Sequence, residues 1–247
     1  MATQIADGVV RLGTDIVNWY LVADDSGVTV IDAAVPRYRP QLDDGLKLLG
    51  RTTADVRAVV LTHAHADHVG CAEILRTELG APVFVHAEDR ELATTAKAFG
   101  KNEASLLPYL RHAAAWKLLT GLARGGGMKP VKIGEVTTFG GDSETLDVPG
   151  RPRVLHTPGH TPGHCILHFE SRGVLAVGDL ICTWNPLTGG RGPQLLPRAF
   201  NQSTQRMVES LGRLDETDAA LTVFGHGDPW RDTPHAAAEH ARSVGPT

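Results

Sequence analysis

Thr62-His63-Ala64-His65-Ala66-Asp67-His68 is the stretch whose reading decides the fold. Arg57-Ala58-Val59-Val60-Leu61 before it is a short apolar run rich in β-branched residues and reads as a buried strand, while Val69 to Leu79 after it reads as a helix. Three imidazoles and a carboxylate therefore share one strand-to-helix loop. His63 and His65 alternate, so in an extended loop they point the same way with only Ala64 between them. Asp67 and His68 are adjacent at the helix start, so their side chains splay apart and reach toward a second ion beside the first. A purely structural loop has no reason to gather so many groups that each need a partner when buried. Nitrogen and oxygen donors in this number suit divalent metals, zinc first, with iron or manganese also accommodated.

Working outward toward the N-terminus, Gly8 to Leu12, Ile16 to Ala23 and Val28 to Ile31 read as an antiparallel meander with turns at Gly13-Thr14-Asp15 and Asp24-Asp25-Ser26-Gly27. The third strand ends in Asp32. Leu42, Leu46 and Leu49 mark a helix from Arg39 to Leu49 closed by Gly50. Beyond the central loop, Pro82 to Val85 reads as a strand and Glu88 to Ala98 as a helix. Glu144 to Val148, Arg153 to Leu155, Cys165 to Phe169, Val174 to Val177 and Ala220 to Phe224 read as further strands. Gln202 to Leu214 is a helix, and a last one starts at Thr233, an N-cap followed by Pro234 at the first helical position. The economical packing of this pattern is two sheets face to face with helices outside.

Asn102 to Gly127 stands apart. Leu106, Leu107, Tyr109, Leu110, Trp116, Leu118, Leu119 and Leu122 make it apolar nearly all round, and Gly125-Gly126-Gly127 reads as a flexible joint. Such a helical insertion needs cover on more than one side, as core packing, as a lid over a site or as a homodimer contact. Its apolar character suggests an acyl or aromatic substrate moiety.

Composition narrows the function. The chain has 247 residues, 42% hydrophobic and 21% charged, with a formal net charge of −4, as expected of an ordinary globular protein. A mildly acidic balance argues against a nucleic-acid partner, whose phosphates call for clustered Lys and Arg; Arg111, Lys117, Arg124, Lys129 and Lys132 are spread over the segment from Arg111 to Lys132 and read as a solvated face. Cys71, Cys165 and Cys182 are odd in number and lack CxxC spacing, so they read as small hydrophobes. The N-terminus lacks the features of a signal peptide and no apolar run is long enough to span a membrane, so a cytoplasmic location without a membrane partner is expected.

Three later positions share an address with the central loop. His160 in Thr157-Pro158-Gly159-His160-Thr161-Pro162-Gly163-His164, Asp179 in Gly178-Asp179-Leu180, and His226 in Gly225-His226-Gly227 each occupy a Gly-flanked turn after an expected strand. The order of these motifs resembles the metallo-β-lactamase-fold superfamily over essentially the whole chain, the insertion excepted. The resemblance implies one domain over residues 1–247, an αββα four-layer sandwich with a helical insertion at about 102–127 and two metal ions at one edge of the sheets. His63, His65 and His160 would hold one ion, Asp67, His68 and His226 the other, with Asp179 bridging them and Asp32 bracing the loop from behind. Two divalent ions, two carboxylates and one bridging hydroxide leave a net positive charge that can receive an oxyanion. A zinc-held water has its pKa lowered to about 7, so hydroxide is available to attack a carbonyl, with Asp67 orienting it or carrying its proton.

Asp179 argues against β-lactam hydrolysis, because zinc β-lactamases generally carry cysteine or serine at the corresponding turn. The pattern is closer to glyoxalase II, acyl-homoserine lactonases and a tRNA-processing endonuclease group. Only 21 residues follow His226, so the helical glutathione-binding domain of a usual glyoxalase II is not expected, and a nuclease or phosphodiesterase is disfavoured by the charge balance. A small-molecule ester, thioester or lactone remains, with a mononuclear iron persulfide dioxygenase-like enzyme as the alternative. The segment from Asp179 to His226 is expected to line the pocket, with Trp184 and Asn185 close to Asp179; Arg191 or Arg198 there could clamp a substrate carboxylate, although for either one a solvated surface arginine is the commoner reading. His164 is expected to hydrogen-bond within its loop, and His86, His112, His156, His168, His235 and His240 to be surface or packing residues.

Overall fold

Strand β1 (Thr3–Ala6), β2 (Val9–Gly13), β3 (Asn18–Asp24) and β4 (Gly27–Ile31) pair antiparallel in chain order. The structure, a computed structural model, describes residues 2–95, 102–129 and 131–247. Helix α1 (Pro40–Leu48) then carries the chain back across the sheet, so that β5 (Val56–Val60) lies parallel to β4, as a crossover connection requires. β6 (Val83–His86) and β7 (Thr137–Phe139) extend the same sheet in parallel to seven strands. The second sheet runs β13 (Leu221–Val223), β10 (Val174–Ala176), β9 (Cys165–Phe169), β8 (Arg153–His156), and β11 (Ile181–Trp184) with β12 (Arg191–Leu195) forms a separate hairpin. The remaining helices are α2 (Ala66–Val69), α3 (Ala72–Leu79), α4 (Arg90–Thr95), α5 (Ala113–Gly125), α6 (Thr204–Ser210) and α7 (Pro234–Val244). Among the described residues no helix is long and apolar enough to cross a membrane.

Because successive side chains of a strand face opposite ways, both faces of the large sheet are apolar. Leu12, Leu21 and Val59 face outward against Leu42 and Leu46 of α1 and Leu75 of α3. Val22 and Val60, their neighbours, face inward against Val154, Leu167, Phe169 and Val223 of the second sheet. That sheet's outer side, through Leu155, Ile166 and Leu175, is covered by Met207 of α6 and by Ala237, Ala238 and Ala241 of α7. The layering is the expected αββα sandwich. Each fully buried Leu, Val or Phe stabilises it by about 1.5–3 kcal/mol.

Several local expectations change. Val69 to Leu79 is two helices, because the amides of Gly70 and Cys71 bond to Ala34 and Ala33 carbonyls at 2.7 and 2.8 Å instead of continuing the helical ladder. Glu144 to Val148 is no strand: only Thr145 forms a bridge, to Arg153, and Leu146 and Val148 pack into the inter-sheet core from a loop. The helix expected from Gln202 starts at Ser203, which caps it by accepting from the Arg206 amide, and beyond Ser210 it tightens into a 3₁₀ turn over Leu211–Glu216. Of the expected Glu88 to Ala98 helix, Ala87–Asp89 is a 3₁₀ turn and Arg90–Thr95 is helical; 96–98 lie outside the described residues. β1, β7 and the β11–β12 hairpin, with their short or polar sequences, gave no strand pattern.

The two halves of the chain are clasped at the edge where the strand ends gather. Tyr20 of β3 donates its hydroxyl to the Phe224 carbonyl (2.7 Å) and accepts from the Phe224 amide (3.2 Å). Asn18 donates to the carbonyls of Phe224 and Gly227 at 3.0 and 2.7 Å. The turn carrying His226 is thereby tied to the meander.

Candidate metal centre

All seven residues expected to ligate metal come together at this edge. His63, His65 and His160 form one group whose ligand atoms lie within 4.8 Å of one another, and Asp67, His68 and His226 form a second. Between them is Asp179. Its Oδ2 lies 3.2 Å from His226 Nε2, 3.4 Å from His160 Nε2 and 4.0 Å from His63 Nε2, and its Oδ1 lies 3.5 Å from His68 Nε2. Gly225 permits this approach: a Cβ there would stand 2.1 Å from Asp179 Oδ1 and 2.7 Å from His68 Cε1.

The imidazoles are aimed from behind. Thr62 gives its hydroxyl proton to Asp32, so its oxygen accepts from His63 Nδ1 at 3.1 Å and leaves Nε2 facing the centre. His68 Nδ1 donates to Asp32 Oδ2 (2.9 Å) and His226 Nδ1 to the Ile16 carbonyl (2.6 Å). Asp32, at φ +58°, thus braces the loop as expected, also accepting from the Thr62 amide at 2.8 Å. His160 Nδ1 donates to Asn201 Oδ1 (3.1 Å), whose amide nitrogen is committed to Leu196 O and Thr204 Oγ1. Only one ring nitrogen of each remains for an ion, which fixes the tautomer. His65 Nδ1 and His160 Nε2 approach to 2.8 Å.

His164 is not part of the set. Its Nε2 accepts from the Asp179 amide (3.0 Å) and its Nδ1 donates to Thr157 Oγ1 (2.8 Å), so it positions the bridging carboxylate's backbone. Burial and the nearby His160 push it down to about 3, and it stays neutral.

Two residues with positioning roles escaped the sequence. Asn201 is one. The other is Asp89, fully buried, whose carboxylate accepts from the Ala64 amide (3.0 Å), Thr161 Oγ1 (2.8 Å) and the Gly163 amide (2.8 Å). It joins the loop of His63 and His65 to that of His160. Burial nevertheless pushes its carboxyl up, against those three bonds. Its position just past the end of β6, the address of the other site residues, was the available signal.

The electrostatics call for cations. His63 Nε2, His68 Nε2 and Asp179 Oδ1 are buried and make no hydrogen bond among the described atoms, a cost unless something coordinates them. Burial lowers His63, His65 and His160, the neighbouring histidines reinforcing this at His63. Burial is outweighed at His68 by Asp179, Asp32 and Asp67, which hold it up at about 10, and at His226 by Asp179 and Asp67, which raise it. Asp179 in turn is held well below the usual carboxylate range by His226 and His68 in spite of its burial. Protons on His68 and His226 balance charges that divalent ions would balance. The donor set and the unpaired atoms therefore fit metal.

Beside this set is a cavity of about 220 Å³. Its polar wall is His65, Asp67, His160, Asp179 and His226; its apolar wall is Leu106, Leu118, Leu119, Leu122, Met128 and Phe200, mostly from the helical insertion. The insertion covers the site and packs on the body through Ala115, Leu118, Ile16, Trp184, Leu187 and Ala199. Its apolar character is not confined to that side: Leu107 and Trp116, away from the cavity, are 73% and 55% exposed. The glycine triplet is no loose joint either: Gly126, at φ +82°, caps α5, and Gly125 and Gly127 lie tight on Val35. Of the segment from Asp179 to His226, only its two ends and Phe200 line the cavity. Trp184 packs beneath the insertion and Asn185 holds a turn, bonding the amides of Leu187 and Thr188. Arg191 is exposed and Arg198 pairs with Glu103 at 3.6 Å; neither lines the cavity.

A family model described as the metallo-beta-lactamase superfamily matches residues 12–226, spanning every one of these ligands. The chain belongs to the metallo-β-lactamase superfamily. Within it, the chain is 24% identical over 238 residues to the probable metallo-hydrolase YflN of Bacillus subtilis, covering 92% of this chain and 86% of that one. It is 30% identical over 222 residues to an uncharacterized protein of Aquifex aeolicus, covering 85% and 90%. A solved structure of a metallo-beta-lactamase family protein from Thermus thermophilus, TTHA1429, superposes with a TM-score of 0.68 at 28% identity, covering 96% of this chain and 79% of that one. The HARLDQ-motif metallo-beta-lactamase of Cronobacter sakazakii, at 18% identity and a TM-score of 0.69, shares the superfamily fold. Metal-dependent hydrolysis is thus supported at the level of the superfamily.

Proposed function

We propose that this chain is a hydrolase that uses two divalent metal ions, zinc first, to cleave an ester, thioester or lactone of a small molecule by attack of water on the carbonyl. The position of Asp179 carries the reading: one carboxylate stands between two triads of ligand atoms, with Nε2 atoms of both triads within 3.5 Å of its oxygens. His63, His65 and His160 would hold one ion, Asp67, His68 and His226 the other, and Asp179 both. Such ions supply a water acidified to near neutral pH and a positive field for oxygen charge. Asp67 both faces the cavity and keeps contact with solvent, its side chain 16% exposed. It can therefore take a proton from the attacking water and return it to the departing oxygen or sulfur. The apolar wall excludes bulk water, which strengthens these interactions.

The test is metal analysis of the purified protein with hydrolysis of an ester, a thioester, a lactone and a β-lactam. Two ions per chain, cleavage of one or more of the first three substrates, and loss of both the second ion and turnover in Asp67→Ala are expected. One iron per chain without metal-dependent hydrolysis, or cleavage of the β-lactam alone, overturns the reading.

A further inference from the structure

The cavity beside the ligand set has a chemical character of its own. Its far wall is built from Leu106, Leu118, Leu119, Leu122, Met128 and Phe200, and no cationic or hydrogen-bonding side chain stands among the described residues of that wall. Apart from the site's own His and Asp, then, nothing there recompenses a charge taken out of water. Size adds a second constraint. A volume of about 220 Å³ is about one and a half times that of an apolar cavity of about 150 Å³ that takes up a benzene ring, so a chain of about six to nine heavy atoms fills it.

From these features we infer that the acyl side of the substrate is an uncharged, apolar chain of medium length, about hexanoyl, lying against α5 with its carbonyl at Asp67 and Asp179. The inference rests on the hydrolase reading for the bond that breaks; the chain's identity rests on the cavity alone. Hydrolysis adds water across the acyl bond, releasing the medium-chain acid and an alcohol or thiol. Leu119, half-buried on α5, is one of the side chains lining the cavity, so changing its size changes the room left for the chain.

The experiment uses the metal-loaded protein and one ester series with a constant leaving group: acetyl, butanoyl, hexanoyl, octanoyl, dodecanoyl, and succinyl as a charged chain of butanoyl length. Expected is a rise in kcat/KM of about fourfold per methylene from acetyl to hexanoyl, a fall by dodecanoyl, and a succinyl ester about tenfold or more below butanoyl. Leu119→Phe moves the optimum to shorter chains and Leu119→Ala to longer ones. A flat profile, an acetyl optimum, a preference for succinyl or an optimum unmoved in both variants overturns the inference. If neither the esters nor a thioester or lactone is cleaved, the hydrolase reading has failed, and the cavity is read by binding. With methyl-labelled methionine, hexanamide should then shift the Met128 resonance where acetamide does not, and Leu119→Phe should abolish the shift; equal or absent responses overturn the inference.

Discussion

Asp89 touches no expected ligand side chain, yet it holds the backbones that present three of them. Asp89→Asn keeps the shape and places an amide NH₂ where at least one of its three donors now points, so the His63–His65 loop and the His160 loop lose register. Affinity for the ion held by those histidines should fall by about 10–100-fold, measured by competition with a chromophoric chelator; an unchanged affinity removes the positioning role. Gly225→Ala acts from the opposite side, since its Cβ must displace Asp179. A shift of about 1 Å in a reacting centre costs on the order of 100-fold, so kcat should drop by about that factor while urea unfolding of the folded protein remains cooperative. At this scale the sequence disclosed which histidines and aspartates gather at one edge, because clustered His and Asp at strand ends have few other uses. It did not disclose Asp89 or Asn201. A single acid at the start of a helix reads as an ordinary first-turn carboxylate, and an Asn in a loop as a turn residue; their partners lie 25 to 74 and 41 residues away along the chain.

Helix α5 shows how an element can be recognised without its purpose being legible. The leucines that announce it are divided in space: Leu118 is buried, Leu119 and Leu122 are half-buried on the cavity, and Trp116 is exposed. Periodicity alone could not separate these, because what covers each face comes from Ile16, Trp184 and Val35, far off in sequence. Leu118→Ala should cost about 2–4 kcal/mol, read from the urea midpoint, because its neighbours Ala115 and Leu187 are held by their own packing. The ion pair of Lys117 with Asp15 (2.9 Å, both exposed) ties the same helix to the meander and should matter far less. The meander of β2, β3 and β4 and most of the other strands, by contrast, followed from short apolar runs and their turns. The misread stretch 144–148 alternates in pattern like a strand but finds only one bridging partner, so it stays a loop.

For the molecule as a whole, the balance of protons in the centre predicts how the metal-free protein responds to pH. His164 lies near 3 when folded and at about 6.5 when unfolded; the unfolded chain takes a proton that the folded one refuses, so stability is lost as pH falls below 6.5. His68 lies near 10 when folded, so its stabilising proton is in place below 6.5 and is lost as pH rises toward 10. Unfolding in chelator should therefore show a maximum near neutrality and lower midpoints at both pH 5 and pH 9. Bound zinc takes the place of the His68 proton, and the alkaline loss should disappear; equal stability of the metal-free protein at pH 7 and pH 9 would contradict this balance.

The clasp between Tyr20 and Phe224 joins residues 204 positions apart, and its consequence concerns the order of assembly on a nascent chain. Closing so long a loop is slow and comes late, so the turn that bears His226 is fastened only after nearly everything between has found its place. The cluster from His63 to His68, on the other hand, is complete within six residues of chain, ready to seize a metal before any sheet exists. An ion offered too soon is held by the wrong partners, and binding to the unfolded chain forfeits part of its stabilisation. Zinc supplied after refolding should accordingly give a higher yield of the native protein than zinc present from the start.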